Sequence, residues 1–181
     1  GQHLFRVFAP SFFQVNTAQA ENLVEVVEEL CALRGSERVL DLYCGVGTLS
    51  LALAARAGVV IGVEESPWAA ADAEANGEGM ASFTVLEGAV EQVLPHLEGR
   101  FPVVVVDPPR SGCGRAVLAY LRELGAERLV YVSCDPATLA RDTVYLREAG
   151  FELENMVAVD MFPQTAHVES VASFVTTDEH G

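Results

Sequence analysis

Acidic and thiol side chains recur at the ends of the strands that the sequence predicts. Asp41, Glu64, Asp107 and Cys134 each end an apolar run, and Glu169 begins the last such run. These residue types can act as nucleophile, general base or hydroxyl acceptor. The carboxyl ends of parallel strands meet at one edge of a sheet, where open α/β folds bind ligands. We therefore expect all five side chains along one rim, because an antiparallel last strand begins at that same edge.

Cys134 has the position of a reactive thiol. It follows the apolar stretch "RLVYVS" and precedes a helix that begins near Pro136. The positive end of a helix dipole lowers the pKa of a nearby thiol, which favours the nucleophilic thiolate. The alternative is a small buried hydrophobic residue, the commonest role of a free cysteine. Cys113, on a loop, is the rival candidate for reactivity, whereas Cys31 and Cys44 are expected to pack in the interior.

Two further segments supply acids in fixed positions. In "DPPRSGCG" (107–114), two prolines stiffen the backbone after Asp107, and Arg110 can bind a phosphate. A plain turn that ends the strand is the alternative. In "MFPQTAHVES" (161–170), Glu169 stands where a strand begins, so it is held firmly, as a general base must be. His167 is a second candidate base, and a surface position is its alternative.

The segment "DLYCGVGTLS" (41–50) is a glycine turn between a strand and a helix. Gly45 and Gly47 allow a ligand to approach the backbone closely, but Ser50 breaks the dinucleotide fingerprint G-x-G-x-x-G/A. Glu64, which follows Gly45 by 19 residues, can accept both hydroxyls of a ribose. These features suit an adenosine without a pyrophosphate, such as S-adenosylmethionine (SAM). The alternative is an ordinary turn beside an exposed acid.

The chain alternates strands with predicted helices, among them one over 16–35, which Gly35 ends, and one over 90–99. The first five predicted strands span 38–43, 59–65, 82–88, 101–109 and 128–134. They are nearly continuous in apolar residues, which is typical of strands covered on both faces. Two final strands, 151–162 and 168–177, are joined by too short a loop for a crossover helix, so they should pair antiparallel. The prediction is an α/β, Rossmann-like sheet of seven mostly parallel strands that ends in an antiparallel hairpin.

Composition limits the function classes. The chain has 181 residues, enough for one domain with a full core, and no apolar run approaches the roughly 18 residues that a membrane span needs. Four scattered cysteines without a C-x-x-C pair predict neither a metal site nor a disulfide framework, and they fit a reducing cytoplasm. Eleven arginines, no lysine and 26 acidic residues give a net charge of −15. Such a chain should repel nucleic acid unless arginine is gathered locally.

Five motifs, in order, carry a resemblance to a known family. The motifs "FFQVN" (12–16), "DLYCGVGTLS" (41–50), "DPPRSG" (107–112), "SCDPATLARD" (133–142) and "FPQTAHVES" (162–170) closely resemble those of the RNA uracil-5 methyltransferases. The resemblance covers residues 1–181 as that family's catalytic domain, with the class I SAM-dependent methyltransferase fold. It implies that Cys134 is the nucleophile and Glu169 the base. The implied SAM contacts, together with Gly45 of the glycine turn, are Gln14, Tyr43, Thr48, Glu64, Gly88 and Asp107.

The resemblance also implies a reaction. A thiolate adds to carbon 6 of uracil, carbon 5 takes the methyl group, a base removes the carbon-5 proton, and the thiol is eliminated. Asp107 is expected to contact the uracil edge as well as SAM. The target uridine, in tRNA or rRNA, must be flipped or lie in a loop to be reached.

The charge and the family pattern together predict how RNA is bound. Family members commonly carry a small β-barrel RNA-binding domain before the catalytic domain, and some carry a four-cysteine iron–sulfur cluster; neither is recognisable in residues 1–181. Such a domain would supply most of the phosphate affinity, and Arg110, Arg115 and Arg141 are expected to add a basic patch near the rim. We therefore expect this chain, taken by default as a monomer, to bind SAM well and RNA poorly.

Three other functions stay open at this point. An enzyme that methylates an exocyclic amine needs no cysteine, and a non-catalytic SAM- or RNA-binding module needs neither nucleophile nor base. An NAD-dependent oxidoreductase is disfavoured because the glycine fingerprint is incomplete. The activity of a Cys134→Ala variant, and titration with SAM and NAD, would separate these functions.

Overall fold

The structure, a computed structural model, describes residues 17–159 and 169–177. Within those residues one sheet contains seven strands: β1 Arg38–Leu42, β2 Val59–Glu64, β3 Phe83–Glu87, β4 Val103–Val106, β5 Arg128–Ser133, β6 Phe151–Val159 and β7 Glu169–Thr176. The helices are α1 Thr17–Cys31, α2 Thr48–Ala54, α3 Pro67–Asn76, α4 Val90–Val93, α5 Arg115–Glu123 and α6 Pro136–Glu148. Among the described residues, no helix is both long enough and apolar enough to cross a membrane.

The sheet is parallel except at one end. Its strand order is β3-β2-β1-β4-β5-β7-β6, and β7 runs antiparallel to both β5 and β6. The order reverses between β1 and β4, which pair with each other near the middle of the sheet. In a doubly wound sheet the ligand crevice lies at such a reversal, outside the carboxyl ends of the strands. The fold expected from the sequence, including its antiparallel end pair, is confirmed.

Two hydrophobic layers cover the sheet. Because side chains alternate between the two faces of a strand, Leu40 and Leu42 of β1 pack in one layer while Val39 packs in the other. The first layer is completed by apolar residues of α4, α5 and α6, and the second by residues of α1 and α2. Every residue of β4 is buried. The central strand is therefore covered on both faces, as its unbroken valines predict.

Two helices are shorter than the sequence predicts. The first, expected to run to Gly35, ends at Cys31, because Ala32 adopts a positive φ of 50° and cannot continue the helix. The stretch 90–99 forms only α4 and a 3₁₀ turn. Pro95 lies in that turn and has no N–H with which to extend an α-helix. Neither difference moves a residue at the carboxyl edge of the sheet.

Candidate active site

The loop between β1 and α2 forms a turn with an open outer side. Three of its residues have positive φ angles: Tyr43 at 64°, Gly45 at 55° and Gly47 at 87°. A Cβ atom at Gly47 would lie 3.4 Å from the Cβ atom of Ala73, so α3 packs closely there. At Gly45, no described atom lies within 4 Å of where a Cβ atom would be. The backbone of Gly45 therefore borders a space into which a ligand can approach closely.

The predicted cofactor residues of this turn lie on its outer side. Tyr43, Gly45 and Thr48 are partly exposed, whereas Cys44 and Val46 between them are buried. Thr48 is the first residue of α2. The alternation follows from the turn itself, which directs apolar side chains into the core and leaves the intervening residues at the sheet edge.

Glu64 joins the glycine turn to β2. Its Oε2 atom accepts the backbone N–H of Gly45 at 2.9 Å, and its Oε1 atom accepts that of Ser66 at 2.8 Å. The carboxylate is partly exposed at the end of β2. Because each carboxylate oxygen has a second lone pair, both can still accept a ligand hydroxyl. The N–H of Gly88 donates to the carbonyl oxygen of Glu64 at 2.8 Å, which brings Gly88 to the same end of the strand.

Asp41 does not belong to the exposed rim, contrary to the expectation from the sequence. It lies inside β1, where strand alternation turns it towards α2, and it is fully buried. The hydroxyl of Ser50 donates to its Oδ2 atom at 2.5 Å, and its Oδ1 atom has no partner among the described residues. Burial raises the pKa of Asp41 to about 7. Asp41 therefore supports the turn from beneath rather than facing solvent.

Cys134 and Glu169 end up side by side through the strand register. Ser133 of β5 pairs with Ser170 of β7, so Cys134 and Glu169 are the next residues of the two strands beyond that pair. The two side chains are 35 residues apart in the sequence. Their proximity depends on the antiparallel direction of β7, which returns the chain to the carboxyl end of β5.

Asp107 completes this group from the next strand. It directly follows β4, and its backbone N–H donates to the carbonyl oxygen of Leu42 in β1 at 3.2 Å. Burial, followed by the carboxylates of Glu169 and Asp41, raises the pKa of Asp107 to about 8. A substantial fraction of Asp107 is therefore protonated at neutral pH, and in that form it can donate a hydrogen bond.

The thiol of Cys134 is exposed, and its pKa lies above the ordinary value. Partial burial and then the Glu169 carboxylate raise this pKa, while the Arg110 guanidinium lowers it. The expectation that the α6 dipole lowers the pKa is wrong as a net effect. The carboxylate of Asp135 caps α6 by accepting two backbone N–H groups of its first turn, both at 2.9 Å. An anion thus already occupies the positive end of the helix.

Cys113 is not a competing nucleophile. It is buried, and burial together with the Asp142 carboxylate raises its pKa to about 12. Cys31 and Cys44 are buried, as expected from the sequence. All four cysteines of the chain are among the described residues, and Cys134 alone is exposed.

The expected basic patch is reduced to one arginine. Arg115 forms an ion pair with Glu148 at 2.8 Å, at the end of α6 far from Cys134. Arg141 has a 46% exposed side chain, but its charge is paired with the buried Asp142 carboxylate. Arg110 is exposed and makes no ion pair with any residue in 17–159 or 169–177. Among the described residues, the Arg110 guanidinium is the positive charge that lowers the pKa of Cys134.

Sequence reasoning missed a buried polar cluster beneath the site. Asp142 and Tyr131 are both fully buried and hydrogen-bonded to each other. Asp142 stands in the quoted motif "SCDPATLARD", where an acid on the apolar side of an amphipathic helix was the available signal. Two other residues named from the sequence, Gln14 and His167, lie outside the described residues.

The arrangement has two adjoining parts. The glycine turn offers an approachable backbone and a fixed carboxylate with free lone pairs, so the donors and acceptors present fit an adenosine with a ribose. Beside it, across β1 and β4, lie a thiol, a carboxylate and a carboxyl group with a raised pKa. A thiol next to an acid and a base suits covalent catalysis on an electron-poor carbon, with proton transfer.

Comparison with protein families gives matches along most of the chain. The family model described as tRNA (uracil-5-)-methyltransferase matches residues 82–176, just over half of the chain. A general methyltransferase-domain model matches residues 39–107. An uncharacterized RNA methyltransferase of Thermosynechococcus vestitus is 47% identical over 178 residues, covering 96% of this chain and 39% of that protein. One from Enterococcus faecalis is 47% identical over 172 residues, covering 92% and 38%. The chain thus spans about two-fifths of the length of these curated relatives.

Solved structures agree in fold. A Pyrococcus abyssi tRNA (uracil-54, C5)-methyltransferase, in complex with S-adenosyl-L-homocysteine, is 37% identical with a TM-score of 0.79. The match covers 94% of this chain and 42% of that one. A magnesium protoporphyrin IX methyltransferase from Synechocystis, with bound SAM, has a TM-score of 0.72 at 19% identity, covering 88% and 81%. At that identity the likeness shows the fold alone, which is that of the class I SAM-dependent methyltransferases.

Proposed function

Because the chain belongs to the tRNA (uracil-5-)-methyltransferase family, we propose that residues 1–181 are the catalytic domain of an RNA methyltransferase that uses SAM to methylate carbon 5 of a uridine. The observation that best supports the proposal is the group of Cys134, Glu169 and Asp107 at the carboxyl ends of three adjacent strands. An enzyme that methylates an exocyclic amine does not need an exposed thiol in that position.

The SAM site in this proposal is the glycine turn. Glu64 would accept the ribose hydroxyls with the lone pairs that its bonds to Gly45 and Ser66 leave free. Gly45 would let the ligand lie against the backbone, since a side chain there would project into the same space. Tyr43 and Thr48 flank the turn, and Gly88 lies beside Glu64. Gln14, outside the described residues, remains a predicted contact from the family motif.

The covalent steps are assigned to the second part of the site. The Cys134 thiolate adds to carbon 6 of uracil, and the electron pair displaced from the double bond makes carbon 5 nucleophilic. SAM, when bound, would supply the methyl group that carbon 5 takes and would leave as S-adenosylhomocysteine. Glu169 then accepts the carbon-5 proton, the double bond re-forms, and the carbon–sulfur bond breaks to return the thiolate. Protonated Asp107 would donate a hydrogen bond to a uracil carbonyl oxygen and so stabilise the enolate formed by the first step.

RNA is the proposed substrate, and Arg110 is proposed to contact one of its phosphates. The chain carries a net charge of −15, so Arg110 by itself cannot provide tight binding at physiological salt. Tight RNA binding needs several phosphate contacts. Because this chain spans about two-fifths of the length of its relatives, a further region of the whole protein could supply those contacts. We therefore expect this chain alone to bind SAM and to hold RNA only weakly.

Product analysis tests the proposal. The whole protein would be incubated with SAM and with tRNA or rRNA transcripts, and the digested nucleosides separated by mass spectrometry. The expected product is 5-methyluridine, absent from reactions of the Cys134→Ala variant. A base methylated on an exocyclic nitrogen, formed equally by parent and variant, would replace this proposal with amine methylation.

A further inference from the structure

Both oxygens of the buried Asp142 carboxylate accept hydrogen bonds. Its Oδ2 atom accepts the Tyr131 hydroxyl at 2.7 Å and the backbone N–H of Cys113 at 2.8 Å. Its Oδ1 atom accepts Nε of Arg141 at 2.9 Å and Nη2 of the same guanidinium at 2.6 Å. Burial of a carboxylate is unfavourable unless the carboxylate is paired and hydrogen-bonded. Four accepted bonds, one pair of them to a cation, explain how the charge is accommodated.

These bonds tie the 107–114 loop to α6. Besides the Cys113 N–H, Arg141 Nη2 donates to the carbonyl oxygen of Ser111 at 2.7 Å, and the Thr138 hydroxyl donates to that of Arg110 at 3.0 Å. Gly112 has a φ of 75°, and a Cβ atom there would lie only 2.3 Å from Cγ2 of Thr138. Four consecutive loop residues, Arg110 to Cys113, therefore contact α6 closely, three of them through hydrogen bonds.

Asp142 is too far from the thiol to act on it directly. It follows the cap residue Asp135 by seven positions, which is about 10 Å along the helix. The loop it holds, however, carries Asp107 at one end and Arg110 in the middle, and Arg110 lowers the pKa of Cys134. Because only the cap residue Asp135 separates Cys134 from α6, a loop fixed to α6 keeps a fixed position relative to the thiol.

We propose that Asp142 is a positioning residue for this site: through Cys113 and Arg141 it fixes the 107–114 loop against α6 and so sets where Arg110 stands relative to Cys134. The inference rests on the proposed function in one respect, since it takes Cys134 to be the reacting thiol. Tyr131, which shares Oδ2 of Asp142, holds the carboxylate from the sheet side.

The pH dependence of Cys134 alkylation tests the proposal without RNA or SAM. Iodoacetamide reacts with the thiolate, and the other three cysteines are buried. Among residues 17–159 and 169–177, the charged or titratable groups that act on this thiol are Glu169 of β7 and Arg110 and Asp107 of the loop, and Asp135 is next to it in the sequence. In the Asp142→Asn variant, the midpoint of the rate against pH should rise by roughly half a pH unit, as expected when one partly screened positive charge moves away.

Arg110→Gln should produce the same rise, and the double variant should rise no further, because both changes remove one effect. Glu154→Gln is the control: it removes the ion pair with Arg128 at the other side of the sheet and leaves the loop untouched. If Asp142→Asn lowers thermal stability as Glu154→Gln does but leaves the midpoint at the parent value, the residue is merely structural and the proposal is wrong.

Two milder variants serve if Asp142→Asn does not fold. Thr138→Val keeps the side-chain shape and deletes one loop bond, and Tyr131→Phe deletes one bond to Asp142. Each should raise the midpoint by less than Arg110→Gln does, and no rise in either would overturn the proposal. In the methyl-transfer assay, Asp142→Asn should lower kcat by a factor on the order of 100 while the SAM Kd stays near the parent value. An inactive parent would contradict the proposed function, whereas the alkylation result would stand independently.

Discussion

Replacing Glu64 with glutamine removes the charge that joins the glycine turn to β2 and alters one of two backbone contacts. Glu64 accepts the N–H of Gly45 at 2.9 Å and that of Ser66 at 2.8 Å, one on each oxygen. A glutamine has only one oxygen, so its NH₂ group would face one of those N–H donors. We expect the turn to loosen and the free energy of unfolding to fall by about 1 kcal/mol.

The larger expected effect is on SAM affinity. Hydrogen bonds from ribose hydroxyls to a carboxylate are stronger than those to an amide, and Glu64 is partly exposed, which limits the difference. A loss of about 1–2 kcal/mol corresponds to a roughly 5- to 30-fold higher Kd. Isothermal titration of the chain with SAM, and with S-adenosylhomocysteine, measures this directly.

Glu65→Gln is the matched control, because it makes the same charge change at the next position, on an exposed side chain. Its SAM affinity should equal that of the parent. Two results would refute the reasoning: unchanged SAM binding by Glu64→Gln, or an equal loss in both variants. The first would remove Glu64 from the ligand site, and the second would reduce its role to long-range charge.

Three further predictions concern the same edge of the sheet. Gly45→Ala should fold, with a strain cost of about 1 kcal/mol from its positive φ. It should weaken SAM binding at least about tenfold in the same titration, because the new methyl group enters the ligand space. An unchanged Kd would contradict the proposed approach of SAM to the Gly45 backbone. Ser50→Ala leaves buried Asp41 without its hydroxyl donor and should lower the free energy of unfolding by about 1–3 kcal/mol in urea denaturation, against no change if the contact is incidental. Asp107 has a pKa of about 8 in the fold, above that of an unfolded aspartate, so the folded state binds more protons and stability falls as pH rises from about 4 to about 8. Asp107→Asn should therefore raise the melting temperature more at pH 8 than at pH 5, and an equal change at both pH values would exclude the raised pKa.

The fold could be predicted from the sequence because its central strands are continuous apolar runs. An unbroken run such as Val103–Val106 has no polar side to expose, so it predicts a strand covered on both faces, and β4 is buried throughout. The positions of Glu64, Asp107 and Cys134 at strand ends followed from the same runs. Helix ends were harder to predict, since the end of α1 depends on the φ angle of one alanine, Ala32.

The chemistry of the site depended on contacts that no local pattern reveals. The pKa of Cys134 was predicted from its own helix, yet the acid that raises it, Glu169, arrives from a strand 35 residues away. Asp41 was predicted at the rim because it follows the apolar run of β1, but the two-residue period of the strand directs its side chain into the interior. Arg115 was counted as free charge, and its partner Glu148 belongs to a different helix.

Covalent trapping tests the central claim, that Cys134 attacks a uracil in RNA, most directly. The whole protein would be incubated with SAM and an RNA whose target position carries 5-fluorouridine, and analysed by intact-protein and peptide mass spectrometry. Fluorine cannot be removed from carbon 5 as a proton is, so elimination of the thiol should stall. We expect an RNA adduct on Cys134 that is absent from Cys134→Ser and still forms in Glu169→Gln, since the base acts after the addition. Methyl transfer to the unmodified RNA with no adduct to its fluorinated form, or an adduct on another residue, would contradict it.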